Sequence, residues 1–443
     1  MKRSKSASIA CLVGLLLTAC DGSNWGGDDD KEKKLAGERI SVLDYDSSIK
    51  TDSSLEGETI EIPKLTRNAE APFDVAAQLA GVENYQVSGF DHVEHATVGD
   101  GAAFSTILVP QPVVGEGKVF AMDAKGYISA HDANDIGKVL WVSAAPVVVD
   151  EKEVSGGGVS YANGVVYVTT GYGDVIALVA KDGSVLWRRD VDAPFRAAPL
   201  AIDGQVYAIS IDNQLHAFSA RTGKLLWTHR SIKESAIYLG SVSPTYENGI
   251  VIAAYTSGEI YALRSSDGSS IWSDSLVLSK RTSAASDLTG IDATPVIKDG
   301  MVYGLSNSGL MSANALSNGR AAWEQEISGF NTPWVAGDYL FVLNNDNALM
   351  AVHRREGGVK WIKPLKLEDE DEKTKRKPRL SGPVMVNNLL AVASETGQML
   401  FVDPQNGTEK TRADIPDGVK TAPIVANGTM YMMTSDAVLY SYR

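Results

Sequence analysis

Residue types able to carry chemistry are few and scattered in this 443-residue chain. Both cysteines, Cys11 and Cys20, stand within the first twenty residues, so the body can build neither a disulfide framework nor a thiolate metal site. His92 and His95 lie three apart, yet neither a helical context nor a third ligand accompanies them, and exposed loop histidines are the simpler account. Gly156-Gly157-Gly158 is glycine-rich enough to cradle a phosphate but lacks the strand-to-helix setting such a cradle needs, which makes it a turn. Five consecutive acids, Glu368 to Glu372, are followed by Lys373, Lys375, Arg376, Lys377 and Arg379, a self-neutralising block that reads as a solvated loop. No loop gathers a carboxylate, an Asn and a base, so no catalytic residue, cofactor site or metal site is assigned.

Composition narrows the class. Hydrophobic residues make up 44% and charged residues 22%, ordinary values for a globular protein. A formal net charge of −14 repels phosphate backbones and disfavours nucleic acid as a partner. Gly is frequent, at 41 residues, which suits many tight turns.

The chemistry that remains is at the N-terminus. Lys2, Arg3 and Lys5 precede an apolar run from Ile9 to Leu17, too short to span a bilayer as a helix and suited to an export signal, residues 1–19. The run ends in Leu17-Thr18-Ala19-Cys20, which resembles the bacterial lipoprotein box. There Cys20 would carry a diacylglycerol thioether and become the acylated first residue of a periplasmic protein, its partner the membrane lipid. In enteric bacteria an Asp directly after that cysteine marks inner-membrane retention. Asp21 occupies the place, so the membrane is left open between inner and outer.

Residues 20–81 read as an acidic tether. Positions 21 to 80 hold 14 acidic and seven basic side chains, with clusters such as Gly26-Gly27-Asp28-Asp29-Asp30. Such a stretch buries little apolar surface. Two runs within it, Arg39 to Leu43 and Thr59 to Leu65, are expected to add edge strands or dock on the body.

The rest is one repeat. A Pro opens each unit, at Pro112, Pro199, Pro244, Pro295, Pro333, Pro383 and Pro423, with Val159 in the second unit's place. Five residues on stand Gly117, Gly164, Gly204, Gly249, Gly300, Asp338, Asn388 and Gly428. Alternating runs follow, such as Gly258-Glu259-Ile260-Tyr261-Ala262-Leu263, the pattern of half-buried strands. A small residue recurs at Ala130, Ala177, Ala217, Ala262, Ala313 and Ala351. Each unit then carries a Gly and, four places on, a Trp: Gly137/Trp141, Gly183/Trp187, Gly223/Trp227, Gly268/Trp272, Gly319/Trp323 and Gly357/Trp361. Six of eight tryptophans at one repeat position, with a period of about 44 residues, predict an all-β fold of repeated four-stranded sheets.

Eight such units make an eight-bladed β-propeller over residues 82–443. The eighth unit ends at Arg443 after its third strand, so an N-terminal strand must complete the last blade and remove its exposed edge. Tyr85-Gln86-Val87-Ser88 is the expected donor, with Tyr85 where a Trp would stand.

The Pro, Gly and Trp pattern resembles the quinoprotein-type repeat, and lipobox, tether and blades together resemble the BamB family, lipoprotein propellers of the outer-membrane β-barrel assembly machinery. The resemblance implies a non-enzymatic scaffold. Its partners would be a periplasmic domain of the central protein BamA, the other assembly subunits and unfolded outer-membrane proteins. Its place would be the periplasmic face of the outer membrane. Related propellers that oxidise alcohols with pyrroloquinoline quinone carry a vicinal cysteine pair, which this body lacks. A propeller that binds polysaccharide or peptidoglycan is the other alternative, though most aromatics here fall at strand positions.

Partner contacts are implied in two neighbouring loops. Ser231 to Ser243 carries Ala236, Ile237, Tyr238 and Leu239; Ser273 to Thr294 carries Asp287, Leu288 and Asp292. By alignment to Pro244 and Pro295, the family's apolar contacts fall near Ala236, Tyr238 and Leu239 and its acidic contact at Asp292. Gly290 stands where the family often has a second acid, and Leu239 where it often has Arg.

Overall fold

The computed structural model describes residues 49–66, 84–87, 93–99, 110–143, 156–232, 242–277, 290–367, 377–415 and 418–443. They belong to one compact unit, Ser48–Arg443; the other unit, Met1–Ser47, lies outside the described residues, as do Cys20 and the run Arg39 to Leu43. Eight antiparallel sheets of four blade strands each succeed one another around a ring, and the only helix among the described residues is the single turn Ser53–Leu55. This is the eight-bladed propeller that the repeat predicts.

The local code is visible in each blade. In the third, Leu200–Ile202, Gln205–Ser210, Gln214–Ser219 and Leu225–Arg230 pair in sequence. Between the first two, Asp203 and Gly204 both adopt positive φ, 49° and 75°, as a two-residue turn matched to strand twist requires. The repeated Gly is thus the second residue of that turn, and Asn or Asp tolerates the first.

One row crosses the blade. Leu200 pairs with Tyr207, Tyr207 with Ala217, and Ala217 with Trp227. The recurring Ala and Trp are therefore cross-strand partners, and the same pairing holds for Ala130/Trp141, Ala177/Trp187, Ala262/Trp272, Ala313/Trp323 and Ala351/Trp361. Just past each Ala the register slips by one residue, a bulge that turns the outer strand.

The Trp serves the next blade. Trp187 Nε1 donates to the Ala220 carbonyl at 2.8 Å, and its ring lies on Gly223, where a Cβ would come within 2.6 Å of Cδ2. Trp141, Trp227, Trp272, Trp323 and Trp361 repeat the bond to Ala180, Ser265, Leu316, Arg354 and Pro404. In five of the six pairs, all but Gly137/Trp141, the Gly is small because the preceding blade's Trp occupies the space of its side chain.

The ring closes as the fold requires, but with a different strand. Val93–Thr97 pairs antiparallel with Val438–Tyr442, and Glu94 faces Ser441, the position opposite a Trp elsewhere. Asn84–Tyr85 instead runs parallel to the inner strand of the seventh blade, Tyr85 opposite Val386. Asparagine side chains hold it there. Asn388 N donates to Asn84 Oδ1 at 3.0 Å, Val87 N to Asn387 Oδ1 at 3.0 Å, and Asn387 Nδ2 to the Val87 carbonyl at 2.9 Å. Ser88 itself lies outside the described residues.

Residues 49–66 pack on the sixth and seventh blades. Leu55 and Ile60 are buried, Ile60 exchanges two bonds with the Gln405 amide at 2.9 and 2.8 Å, and Lys360 Nζ donates to the Leu55 carbonyl at 2.7 Å. Leu65–Thr66 adds a parallel strand beside Asn84–Tyr85.

Candidate functional site

Strand alternation gives the ring two unlike faces. Each inner strand starts at one face and ends at the tight first turn on the other; the outer strand returns to the starting face, where the connection to the next blade lies. The docked segment 49–66 meets the tight-turn face, at Gln405 and Lys360. The inter-blade connections, including the two expected partner loops, issue from the opposite one.

Of the expected contacts, Ala236, Ile237, Tyr238, Leu239, Asp287 and Leu288 lie outside the described residues, which resume at Val242 and Gly290. Their bases are well anchored. Asn213 Nδ2 donates to the Ile232 carbonyl at 2.6 Å, while its Oδ1 accepts from Thr256 N at 3.1 Å, so one amide ties the exit of the third blade to the fourth. Ser243 Oγ donates to the Ala198 carbonyl at 2.9 Å, and Thr294 N to Thr332 Oγ1 at 3.2 Å. These bonds stitch the starts of neighbouring inner strands from the third blade to the sixth.

Asp292 departs from its expected setting. It is only 4% exposed, neither carboxylate oxygen has a hydrogen-bond partner, and it lines the mouth of the central channel instead of standing on an outward loop. Burial raises its carboxyl to about 6, against a smaller opposing pull from Arg379.

The mouth is a cavity of about 160 Å³ walled by the starts of the inner strands of all eight blades. Arg196, Arg379 and Lys420 also line it. The Arg379 guanidinium sits 4.5 Å above the Phe330 ring, which fixes its direction. The sequence pattern alone puts Arg379 in a charged loop and singles out neither Arg196 nor Lys420; Arg196, Asp292 and Lys420 each stand three residues before a repeat Pro (Pro199, Pro295, Pro423) and Arg379 four before Pro383, an offset that marks channel-facing positions.

The glycine triplet has a structural reason. Gly157 and Gly158 begin the inner strand Gly157–Ala162, where a Cβ would lie 2.1 Å from the Thr169 carbonyl oxygen or 2.7 Å from Ala198 Cα. Gly157 is pressed by the second strand of its own blade and Gly158 by the start of the next blade's inner strand, too closely for any side chain. His95 stands exposed on the closing strand with its ring 5.8 Å from Tyr440, and His92 lies outside the described residues. The acidic run Glu368 to Glu372 also lies outside them, while Lys377 pairs with Asp346 at 3.7 Å.

A second surface, which no motif in the sequence marks, lies on the rim. The outer strands of the first three blades expose Val139 and Leu140, Val185 and Leu186, and Leu225 and Leu226, each pair just before its Trp. Leu186 and Leu226 are the extra residues of the bulges, 53% and 46% exposed. The matching places in later blades hold Ser270 and Ile271, Ala321 and Ala322, Val359 and Lys360, and Glu409 and Lys410. The apolar stripe is thus confined to one arc of the rim.

Comparison with known proteins agrees with this architecture. A family model described as outer membrane protein assembly factor BamB matches residues 124–363 and 369–443. The BamB of Yersinia pestis is 27% identical over 330 residues, covering 73% of this chain and 81% of that protein. The Escherichia coli K12 protein is 26% identical over 335 residues, 74% and 83%. Among solved structures, BamB from Moraxella catarrhalis superposes with a TM-score of 0.66 at 20% identity, over 79% of this chain and all of that one. A quinohemoprotein alcohol dehydrogenase from Comamonas testosteroni reaches 0.65 at 12% identity, over 85% and 81%, a likeness of fold alone.

Proposed function

The chain belongs to the BamB family of outer membrane protein assembly factors, and from that premise we propose that it is a non-enzymatic scaffold of β-barrel assembly. The observation that carries the reading is the family match running through the blades, on a body with no cysteine after Cys20 and no catalytic cluster in its sequence. Acylated Cys20 tethers the propeller to the periplasmic face of the outer membrane. The tether raises the protein's concentration beside a membrane-embedded partner, so a modest direct affinity suffices.

That partner is the periplasmic domain of BamA, engaged by the loops around Ala236 to Leu239 and around Asp287 and Leu288. Tyr238 and Leu239 serve as apolar anchors with charged neighbours. Support comes from the bases of these loops, Ile232 and Val242 and then Val277 and Gly290, which lie on consecutive blades at one face, away from the docked segment 49–66. Asp292, buried at the foot of the second loop, is not assigned an outward contact.

A second role rests on the rim. Unfolded outer-membrane strands, alternately apolar, would lie along the exposed Leu186 and Leu226 and pair with the free edges of those outer strands.

The test is affinity capture of the full-length protein from gently solubilised membranes. Near-stoichiometric recovery of BamA supports the scaffold; recovery of inner-membrane or cell-wall proteins in its place overturns it and makes Asp21 an inner-membrane signal.

A further inference from the structure

The cavity at the channel mouth has the wrong charge for this protein. The chain carries −14 overall, yet Arg196, Arg379 and Lys420 face one small space whose described lining holds a single acid, Asp292. They come from the third, seventh and eighth blades, so the ring geometry, not one loop, assembles them. Lining residues on the inner strands are tied between blades, as in the Ser243 to Ala198 and Thr294 to Thr332 bonds, so the wall is built in advance.

Four polar atoms on its wall are unsatisfied. Both Asp292 oxygens and Arg196 Nε are buried without a hydrogen-bond partner, and so is Ser381 Oγ on the same wall. Buried polar atoms are normally paired, and a buried carboxyl without a partner is destabilising. A cavity of about 160 Å³ matches a molecule of roughly six to nine heavy atoms, since one of about 150 Å³ accepts benzene.

We propose that the channel mouth binds a small dicarboxylate that carries a hydroxyl or amino group. The cations take the two carboxylates, with the Arg379 fork held in place by Phe330. Asp292 accepts a hydrogen bond from the hydroxyl or ammonium group, which gives one of its unpartnered oxygens a donor. The site is independent of the partner loops and of the assembly reading.

Isothermal titration of the full-length, detergent-solubilised protein with malate, aspartate and succinate tests it. Malate and aspartate should bind saturably and about tenfold more tightly than succinate, the factor expected for one hydrogen bond to a charged group. Arg196→Gln and Lys420→Gln, on different blades, should each weaken all three ligands at least tenfold with unchanged thermal midpoints. Asp292→Asn should remove the preference for malate over succinate. Absence of saturable binding, or binding unaltered in both cation variants, overturns the site; a preference that survives Asp292→Asn overturns the role of that carboxyl.

Discussion

Arg443 Nη2 donates to the Ala133 carbonyl at 2.8 Å, and the last residue of the chain thereby closes the ring against the first blade. At six other junctions the corresponding carbonyl accepts from a Trp indole, as Ala180 does from Trp141. The closing strand offers Glu94 in that place, which instead pairs with Arg443 at 3.5 Å, while Tyr431 Oη adds a second donor to Ala133 at 3.1 Å. A polar clasp replaces the aromatic one.

Arg443→Ala should therefore lower stability by about 1–3 kcal/mol, since it removes one of two donors from a buried carbonyl and the ion pair with Glu94. Trp227→Ala, at an ordinary junction, should lower it by about 3–5 kcal/mol through the cavity it leaves. Urea denaturation of both variants checks the order; a loss for Arg443→Ala equal to that for Trp227→Ala would contradict the two kinds of junction.

Gly223→Ala adds a methyl 2.6 Å from Trp187 at a φ of 66°, so both sterics and backbone oppose it. A loss of about 2 kcal/mol or more is expected. Gly204→Ala, with a φ of 75° but nothing within 4 Å, should lose only the backbone part, near 1 kcal/mol. Comparing the two midpoints separates strain from crowding.

Asp292 sets a pH dependence. Its folded value of about 6 exceeds the ordinary 3.8, so its contribution favours folding below pH 3.8 and is lost as pH rises through 6. At pH 7.5 the ionised, unpaired carboxylate opposes folding. Asp292→Asn should then stabilise the protein at pH 7.5 by roughly 2 kcal/mol and by much less at pH 4.5. Buried His131 and His216, held below the usual imidazole range by burial, act in the opposite sense on acidification. Subtracting wild-type from variant stability at each pH cancels their part.

For the partner loops, Tyr238→Ala with Leu239→Ala should reduce BamA capture at least tenfold and leave the thermal midpoint within about 2 °C. Undiminished capture would move the interface elsewhere.

On the rim, Leu186→Ser with Leu226→Ser should change stability by less than about 0.5 kcal/mol, because both side chains face solvent. Cross-linking to an unfolded outer-membrane protein should fall; unchanged cross-linking would remove the stripe from the proposed function.

What the chain declares by itself is whatever is encoded over a few neighbouring residues. Asn or Asp followed by Gly specifies a turn with two positive φ values, and a Gly four places before a Trp records one blade's contact on each side. Because every blade repeats these short-range requirements, blade number and the need for a borrowed strand were legible. Tertiary structure alone decided which strand is borrowed. Asn84–Tyr85 and Val93–Thr97 are both short extended runs, and the choice rests on the Asn387 and Asn388 side chains and on Arg443, some 300 residues away. Likewise Asp292 reads as a loop acid, and Arg196 and Lys420 as unremarked cations. Only closure of the ring brings four distant inner strands to one cavity, strips water from a carboxyl and sets three cations around it.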